Sequence, residues 1–223
     1  VGTVPFAIAS ALADSDKKDL GCHTGTISDA YRKLYLAGKL TNARKEFDTG
    51  LSSFNLAMGS AAFYDWLREN PKLFRPDSID YIHDPARIGK LSRVISINGG
   101  VQVDLMGQEN AESANGMQLS GIGGQMDFLE GAFRSEGGCG YICINSSRLT
   151  KDGVRKSNIL PFIPGGSTVS APRTLIEAVA TEYGIAHLAG KSLAERREAM
   201  IAIAHPDFRD ALRSEKPDFS RFL

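Results

Sequence analysis

Apolar residues recur at helical spacing in five stretches of the chain. The first begins at Pro5, carries Ile8 and Leu12 among alanines, and is expected to end between Asp14 and Asp19. The second predicted helix is Ser28–Ala37, which Gly38 is placed to end, because glycine accepts the left-handed backbone that often follows a helix. The other three predicted helices are Ser60–Glu69, Asp127–Arg134 and Lys191–Ile203.

Short strand-like segments lie between these helices, in LGCHTG, LSSFNLAMG, GGCGYICINSS and Thr174–Thr181. The segment RVISINGGVQVDLMGQ has two alternating runs around Asn98-Gly99-Gly100, which predicts a hairpin with glycines at positive φ. Strands interleaved with helices predict an α/β fold, with an open and mostly parallel sheet covered by helices on both faces. Ligands of such sheets bind beyond the strand ends.

Length and charge exclude several kinds of protein. A chain of 223 residues with 42% apolar content can bury one sizeable core, and we predict one domain over residues 1–223. Lys plus Arg equals Asp plus Glu at 26 each, so no overall field attracts nucleic acid or an anionic membrane. No apolar run approaches the roughly 20 residues that span a bilayer, and no signal peptide is recognisable. A cytoplasmic protein is expected, and the start at Val1 suggests a processed, split or trimmed chain.

The three cysteines, Cys22, Cys139 and Cys143, are odd in number and lack a metal-ligand spacing. Free thiols in a reducing compartment are therefore expected, with no metal site. Cys139 and Cys143 have the spacing of two residues on one strand face, which favours core packing over chemistry. Cys22 and His23 are neighbours on a strand and should face opposite sides, so they are not expected to form a nucleophile-base pair.

The segment SGIGGQMDF is the strongest local signal for a ligand. Gly121, Gly123 and Gly124 come directly before a helix, so their backbone N–H groups could point at an anion or a polarised carbonyl oxygen. The alternative is a tight strand-to-helix turn without a ligand. Gln125 and Asp127 would either cap the helix or reach toward the ligand.

Few other polar residues stand out. Glu182 and Asn98 lie at candidate strand ends, where a carboxylate and an amide could address a substrate, although turn chemistry explains Asn98 before two glycines equally well. The isolated histidines are expected on the surface or as helix caps; these are His83, His187 and His205.

Several motifs together carry a resemblance to a known family. They are LGCHTGTISDA, SINGGVQVDLMGQ, SGIGGQMDFLEGA, TEYGIAHLAGKS and IAHPDFRDAL. From Val1 to Leu212 the chain resembles the C-terminal half of the acetyl-CoA hydrolase/transferase family, which includes 4-hydroxybutyrate and acetate CoA-transferases. The resemblance implies a CoA-transferase-like α/β domain, a coenzyme A thioester as substrate and a carboxylic acid as acceptor. It also implies a partner subunit that carries the N-terminal half, and hence a hetero-oligomer.

The resemblance further implies a mechanism in which a glutamate attacks the acyl-CoA thioester and then carries CoA to the acceptor. That glutamate follows His-Thr in the family pattern, and here the position is Gly25. Family chains also commonly have a lysine where this chain has Cys139. Glu109 and Glu112 are carboxylates in the matched region, but the family pattern gives them no nucleophilic role.

Other positions match family residues at the thioester and CoA site: Asn98, Gly121, Gly123, Gly124, Gln125 and Glu182. The sequence therefore predicts an acyl-CoA-binding subunit that has lost covalent CoA transfer, with Glu182 as the candidate acid or base. Two alternatives stay open. One is an inert scaffold or regulatory subunit, and the other is an ordinary hydrolase or transferase seen as a fragment or variant.

Overall fold

The computed structural model describes residues 3–215, which divide into two compact units. The first unit contains the described residues up to Ser96 together with Asp127–Cys139. The second contains Ile97–Met126 and the described residues from Gly140 onward. Because the chain passes between the units more than once, no single linker in the sequence marks the boundary.

The first unit is built on a three-stranded parallel sheet, β1 (His23–Ile27), β2 (Ser52–Ala57) and β3 (Phe74–Pro76), in that order. Strand β1 is in register with β2 through pairs such as His23 with Ser53. Its helices are α1 (Thr3–Asp14), α2 (Asp29–Leu36), α3 (Ala61–Glu69), α4 (Ile79–Ile82), α5 (Pro85–Ile88) and most of α6 (Gln125–Arg134).

Two apolar clusters hold the helices of the first unit in place. One joins α1 to α2 through small and aliphatic side chains: Ala9, Ala13, Cys22, Ala30, Leu34 and Leu40. The other joins α3 to the sheet through Ile27, Phe54, Phe63 and Trp66. A β-carbon at Gly131 would overlap Ile88, so the glycine allows α6 to pack closely on α5.

The second unit has a four-stranded sheet in the order β14 (Gly184–His187), β13 (Ala178–Thr181), β9 (Cys139–Cys143) and β4 (Ile95–Gly99). A smaller sheet has the order β12 (Ile159–Leu160), β5 (Gln102–Asp104) and β6 (Glu109–Asn110). Two hairpins are β7 (Ser113–Ala114) with β8 (Met117–Gln118), and β10 (Ser147–Leu149) with β11 (Arg155–Ser157). Helices α7 (Leu193–Ala202) and α8 (Pro206–Ser214) complete the unit.

Local signals predicted five of the helices to within about two residues of their observed starts, whereas α4, α5 and α8 were not predicted. Gly38 has φ of 66° directly after α2, and the Ser60 hydroxyl accepts a hydrogen bond from the Phe63 N–H at the start of α3. Helix α7 begins with a capping box in which Ser192 and Glu195 satisfy each other's backbone N–H groups. The α/β class with parallel pairing is confirmed, and the structure adds that the strands form several small sheets.

The predicted hairpin at Asn98-Gly99-Gly100 is wrong. Strand β4 pairs with β9, whereas β5 pairs with β6 and β12, so the two runs belong to different sheets. Neither Gly99 nor Gly100 has positive φ. The reason for glycine at position 100 is steric, because a β-carbon there would lie 2.7 Å from Glu109 Oε1.

Candidate active site

Gly25 lies in the middle of β1 and faces the imidazole of His83. A β-carbon at this position would lie 2.9 Å from His83 Nε2, 3.2 Å from its Cε1 and 3.5 Å from Phe128 Cε2. Carbon atoms in ordinary contact are about 3.5–4.0 Å apart. Gly25 is in a strand and lacks positive φ, so its backbone would accept any residue. The His83 ring therefore occupies the space that a side chain at position 25 would need.

His83 caps the C-terminal end of α4, and both of its ring nitrogens have partners. Nδ1 lies 3.2 Å from Asp127 Oδ2, and Nε2 lies 3.2 Å from Asn55 Oδ1. The side chain of His83 is 12% exposed and that of Asp127 is 40% exposed, so the pair is shielded but open to solvent on one side. Phe128 packs against the imidazole edge to face, with ring centroids 5.2 Å apart.

His23 supports the backbone that carries His83. Its Nε2 donates a hydrogen bond to the carbonyl oxygen of Ile82 at 2.8 Å, and its ring packs edge-on against Phe47. Burial lowers the pKa of His23 to about 4, so the ring is neutral. With the proton on Nε2, the buried Nδ1 keeps a lone pair without a hydrogen-bond partner in the described chain.

Cys22 is unsuited to nucleophilic chemistry. Its side chain is buried in the cluster between α1 and α2, and this burial raises the pKa of the thiol to about 12. The expectation that Cys22 and His23 do not act as a pair agrees with their separate surroundings. The amine of Lys45 is similarly occupied, because it donates to two carbonyl oxygens and to the Ser53 hydroxyl.

The glycines before α6 lie in the second unit. Gly121 and Gly123 are exposed, and a β-carbon at either would meet nothing within 4 Å. Gly123 has φ of 59°, which is a conformation that glycine adopts easily. The backbone of this loop is therefore open to a ligand. Gln125 is buried instead, and its Nε2 donates to Glu109 Oε2 at 2.6 Å, so this amide is already engaged within the protein.

Glu109 is a fully buried carboxyl that sequence reasoning left without a role. Gln125 satisfies one of its oxygens, while Oε1 has no hydrogen-bond partner among residues 3–215. Burial raises the pKa of Glu109 to about 8, which outweighs the hydrogen bond from Gln125. The carboxyl is therefore largely protonated at neutral pH.

Glu182 follows β13, and both of its oxygens accept hydrogen bonds from Ser146, at 2.9 Å from the backbone N–H and 2.6 Å from the hydroxyl. Partial burial acts to raise the pKa of Glu182, but these hydrogen bonds outweigh it and lower the pKa below its usual value. A carboxylate that is ionised and accepts two hydrogen bonds is a weak base. Asn98 is half-buried in β4.

The residues that the structure brings to Gly25 come from three distant segments. Asn55 is in β2, His83 follows α4, and Asp127 lies in the first turn of α6. Sequence reasoning treated His83 as an isolated surface or capping residue, and no local motif contradicted this. Within residues 3–215, no group of three or more His, Cys, Asp or Glu side chains is arranged to hold a metal ion, and no helix is long and apolar enough to cross a membrane.

Comparison with known sequences identifies the class of protein to which this mixed α/β architecture and its glycine-rich loop belong. The profile of the family described as acetyl-CoA hydrolase/transferase C-terminal domain matches residues 59–216. The chain is 43% identical over 212 residues to the butyryl-CoA:acetate CoA-transferase of Anaerostipes caccae, covering 95% of this chain and 47% of that protein. It is 41% identical over 215 residues to the 4-hydroxybutyrate coenzyme A transferase of Clostridium kluyveri, with coverage of 96% and 49%.

A solved structure agrees. RipA from Yersinia pestis superposes with a TM-score of 0.86 at 40% identity, covering 96% of this chain and 47% of RipA. The chain belongs to the acetyl-CoA hydrolase/transferase family. It spans about half the length of the curated relatives that it matches.

Proposed function

We propose that this chain is the acyl-CoA-binding half of a CoA-transferase-like enzyme, and that it acts on an acyl-CoA thioester without a covalent glutamyl intermediate. Family membership supports the thioester substrate. The observation that carries the rest is the surroundings of Gly25, where His83 fills the space that any side chain would need. The position of the family's nucleophile is thus both empty and closed.

The loss of a covalent nucleophile has a large effect on rate. Removing one in a well-studied hydrolase costs about a millionfold, while oxyanion donors and binding alone leave about a thousandfold acceleration over water. Covalent CoA transfer through Gly25 therefore makes no useful contribution. Binding of the thioester by open backbone N–H groups still lowers the barrier to attack by another group.

The remaining parts of the proposal concern partners. Coverage of about half of each relative supports a second polypeptide or domain that supplies the other half, with a hetero-oligomer as the assembly. The ligands are a coenzyme A thioester and, where transfer occurs, a carboxylic acid. The free cysteines of the described chain are consistent with a reducing, cytoplasmic location.

Binding is tested by calorimetry with coenzyme A and butyryl-CoA, on the protein in its natural full-length form or complex. Gly121→Val places a branched side chain on the open loop and is expected to weaken binding at least tenfold. Gly165→Val is the matched control, because Gly165 also lacks positive φ and a β-carbon there also meets nothing within 4 Å. Absence of saturable binding by the unmodified protein would refute the proposal.

Turnover separates this proposal from its alternatives. Binding without release of a thiol from any acyl-CoA would favour an inert scaffold or regulatory subunit. The ordinary-transferase alternative is tested with Gly25→Glu combined with His83→Ala, since the single change to glutamate collides with the imidazole. Acetate-dependent CoA exchange that appears only in the double variant would show that a glutamate at position 25 supports transfer once the His83 ring is removed.

A further inference from the structure

The strongest feature of the first unit that has no role so far is His83, which contacts the Asp127 carboxylate and lies beside Gly25. We infer that His83, oriented by Asp127, is the general base that activates a water molecule to hydrolyse the acyl-CoA thioester. This inference rests on the proposed function and specifies the reaction that takes the place of covalent transfer. It makes the enzyme an acyl-CoA thioesterase.

Asp127 determines which nitrogen of the ring is basic. An ionised carboxylate only accepts hydrogen bonds, so the contact of 3.2 Å places the proton on Nδ1 and the lone pair on Nε2. The same carboxylate stabilises the imidazolium that forms when Nε2 takes up a proton. Asp127 lies in the first turn of α6, a ten-residue helix, and its position does not depend on a loop.

The surroundings hold the ring in one orientation. Phe128 packs against it edge to face, and His23 anchors the carbonyl oxygen of the preceding residue, Ile82. Catalytic side chains need such support, because a base acts only when it lies within hydrogen-bond reach of the proton that it removes.

Nε2 is the atom that faces the reacting side. It points at the missing side chain of Gly25 and lies 3.2 Å from Oδ1 of the exposed Asn55. An amide oxygen only accepts hydrogen bonds, so a lone pair on Nε2 requires that the Asn55 amide turns its NH2 group toward the ring or gives way to water. Asn55 is on the solvent side, so a water molecule can take its place against Nε2 without disturbing a buried contact.

Other polar groups near Gly25 are buried or already hydrogen-bonded to the backbone. His23 uses its protonated nitrogen to bind Ile82, and the Thr24 hydroxyl donates to the Thr26 carbonyl oxygen at 3.2 Å. The Cys22 thiol is buried. His83 is thus the group beside Gly25 that combines a lone pair, an orienting carboxylate and access to solvent.

The reaction balances with water as the only co-substrate. Nε2 takes a proton from water as the water oxygen bonds to the thioester carbon, and the carbon–sulfur bond then breaks. The proton held on His83 passes to the departing sulfur. The products are the free carboxylic acid and coenzyme A with its thiol, so no oxidant or reductant is required.

The test follows thiol release from acetyl-CoA and butyryl-CoA, in the natural full-length protein or complex. His83→Gln is expected to lower kcat by about 10²–10⁴-fold, the usual contribution of a general base, with KM changed less than about threefold. His187→Gln is the matched control, because His187 is an exposed histidine on β14 and should leave kcat unchanged. Asp127→Asn should lower kcat less than His83→Gln does, with KM again preserved.

Two further measurements distinguish a catalytic role of His83 from a purely structural one. Added imidazole should restore part of the activity of His83→Gly, because it supplies the base without the backbone attachment. Single-turnover hydrolysis in ¹⁸O-labelled water should place the label in the released acid and leave the carboxylates of the enzyme unlabelled, as expected when water attacks the thioester directly.

The outcomes distinguish this inference from the proposed function. If coenzyme A binds but His83→Gln leaves thiol release unchanged, the role of His83 is refuted while thioester binding stands. Bound acyl-CoA that is never hydrolysed, or an acid product without the label, also refutes the inference. If coenzyme A does not bind at all, the proposed function itself fails.

Discussion

Replacing Gly25 by alanine tests the steric argument at the centre of the site. The new β-carbon would lie 2.9 Å from His83 Nε2 and 3.2 Å from its Cε1. Relief of this overlap requires a movement of about 0.6 Å, given that ordinary contacts are about 3.5 Å. The two ring nitrogens each lie 3.2 Å from their nearest polar atoms, in Asp127 and Asn55, so a ring that moves away from either residue loses that contact.

The magnitude follows from two opposing terms. Overpacking by one methyl group costs about 1–3 kcal/mol. Alanine in place of glycine recovers about 0.4–1 kcal/mol, because the unfolded chain has fewer conformations and the strand backbone at Gly25 accepts alanine. The net expectation is that Gly25→Ala destabilises the protein by up to about 2.6 kcal/mol.

His83→Ala supplies the control, since it removes the ring that the methyl group meets. In this background Gly25→Ala should be neutral or stabilising by up to about 1 kcal/mol. The coupling energy between the two changes is therefore about 1–3 kcal/mol. Urea denaturation followed by tryptophan fluorescence measures it, because Trp66 is the single tryptophan of the chain and lies in the first unit.

The reasoning is refuted by a coupling energy below about 0.5 kcal/mol, the level at which independent sites are additive. It is equally refuted if Gly25→Ala stabilises the unmodified protein. Either result would mean that the His83 ring does not occupy the space beside position 25.

Three further predictions concern stability, each measured by thermal or urea denaturation. Because burial raises the pKa of Glu109 to about 8, the stability that its proton contributes is complete below pH 4.5 and is lost as pH rises through 8; Glu109→Gln should abolish this loss. Because burial lowers the pKa of His23 to about 4 from 6.5, its contribution is present above pH 6.5 and is lost as pH falls through 4; His23→Gln should reduce this acid sensitivity, and an unchanged slope would argue against it. Ser192→Ala removes the capping box of α7 and should cost about 1 kcal/mol at any pH, with a change below about 0.3 kcal/mol contradicting the role of the cap.

Several features of the site were readable from local sequence. The run from Gly121 to Gln125 marked an open loop that leads into a helix, because glycine patterning and helix starts are encoded within a few residues. From the family resemblance, the sequence predicts that Gly25 stands where the family has its glutamate. What filled the space beside it was not readable, since His83 is 58 residues further along the chain and no spacing rule connects the two positions.

The same limit explains the wrong hairpin. Asn98-Gly99-Gly100 has the composition of a tight turn, but β4 and β5 pair with strands from other parts of the chain. Pairing between distant strands depends on which side chains are buried together, and Glu109 beside Gly100 is one such contact. A local turn preference of this kind is overridden when each strand has a better partner elsewhere.

The sequence by itself determined the α/β class, the approximate positions of five helices and the family, because capping residues, apolar periodicity and motif spacing act within a few residues of one another. Only the tertiary structure decided that His83, Asp127 and Asn55 meet at Gly25, and that Glu109 and Gln125 are bonded inside the second unit. These contacts join residues from separate strands and helices. Their geometry is a product of packing, in which the absent side chain at position 25 leaves room for a ring supplied from another segment.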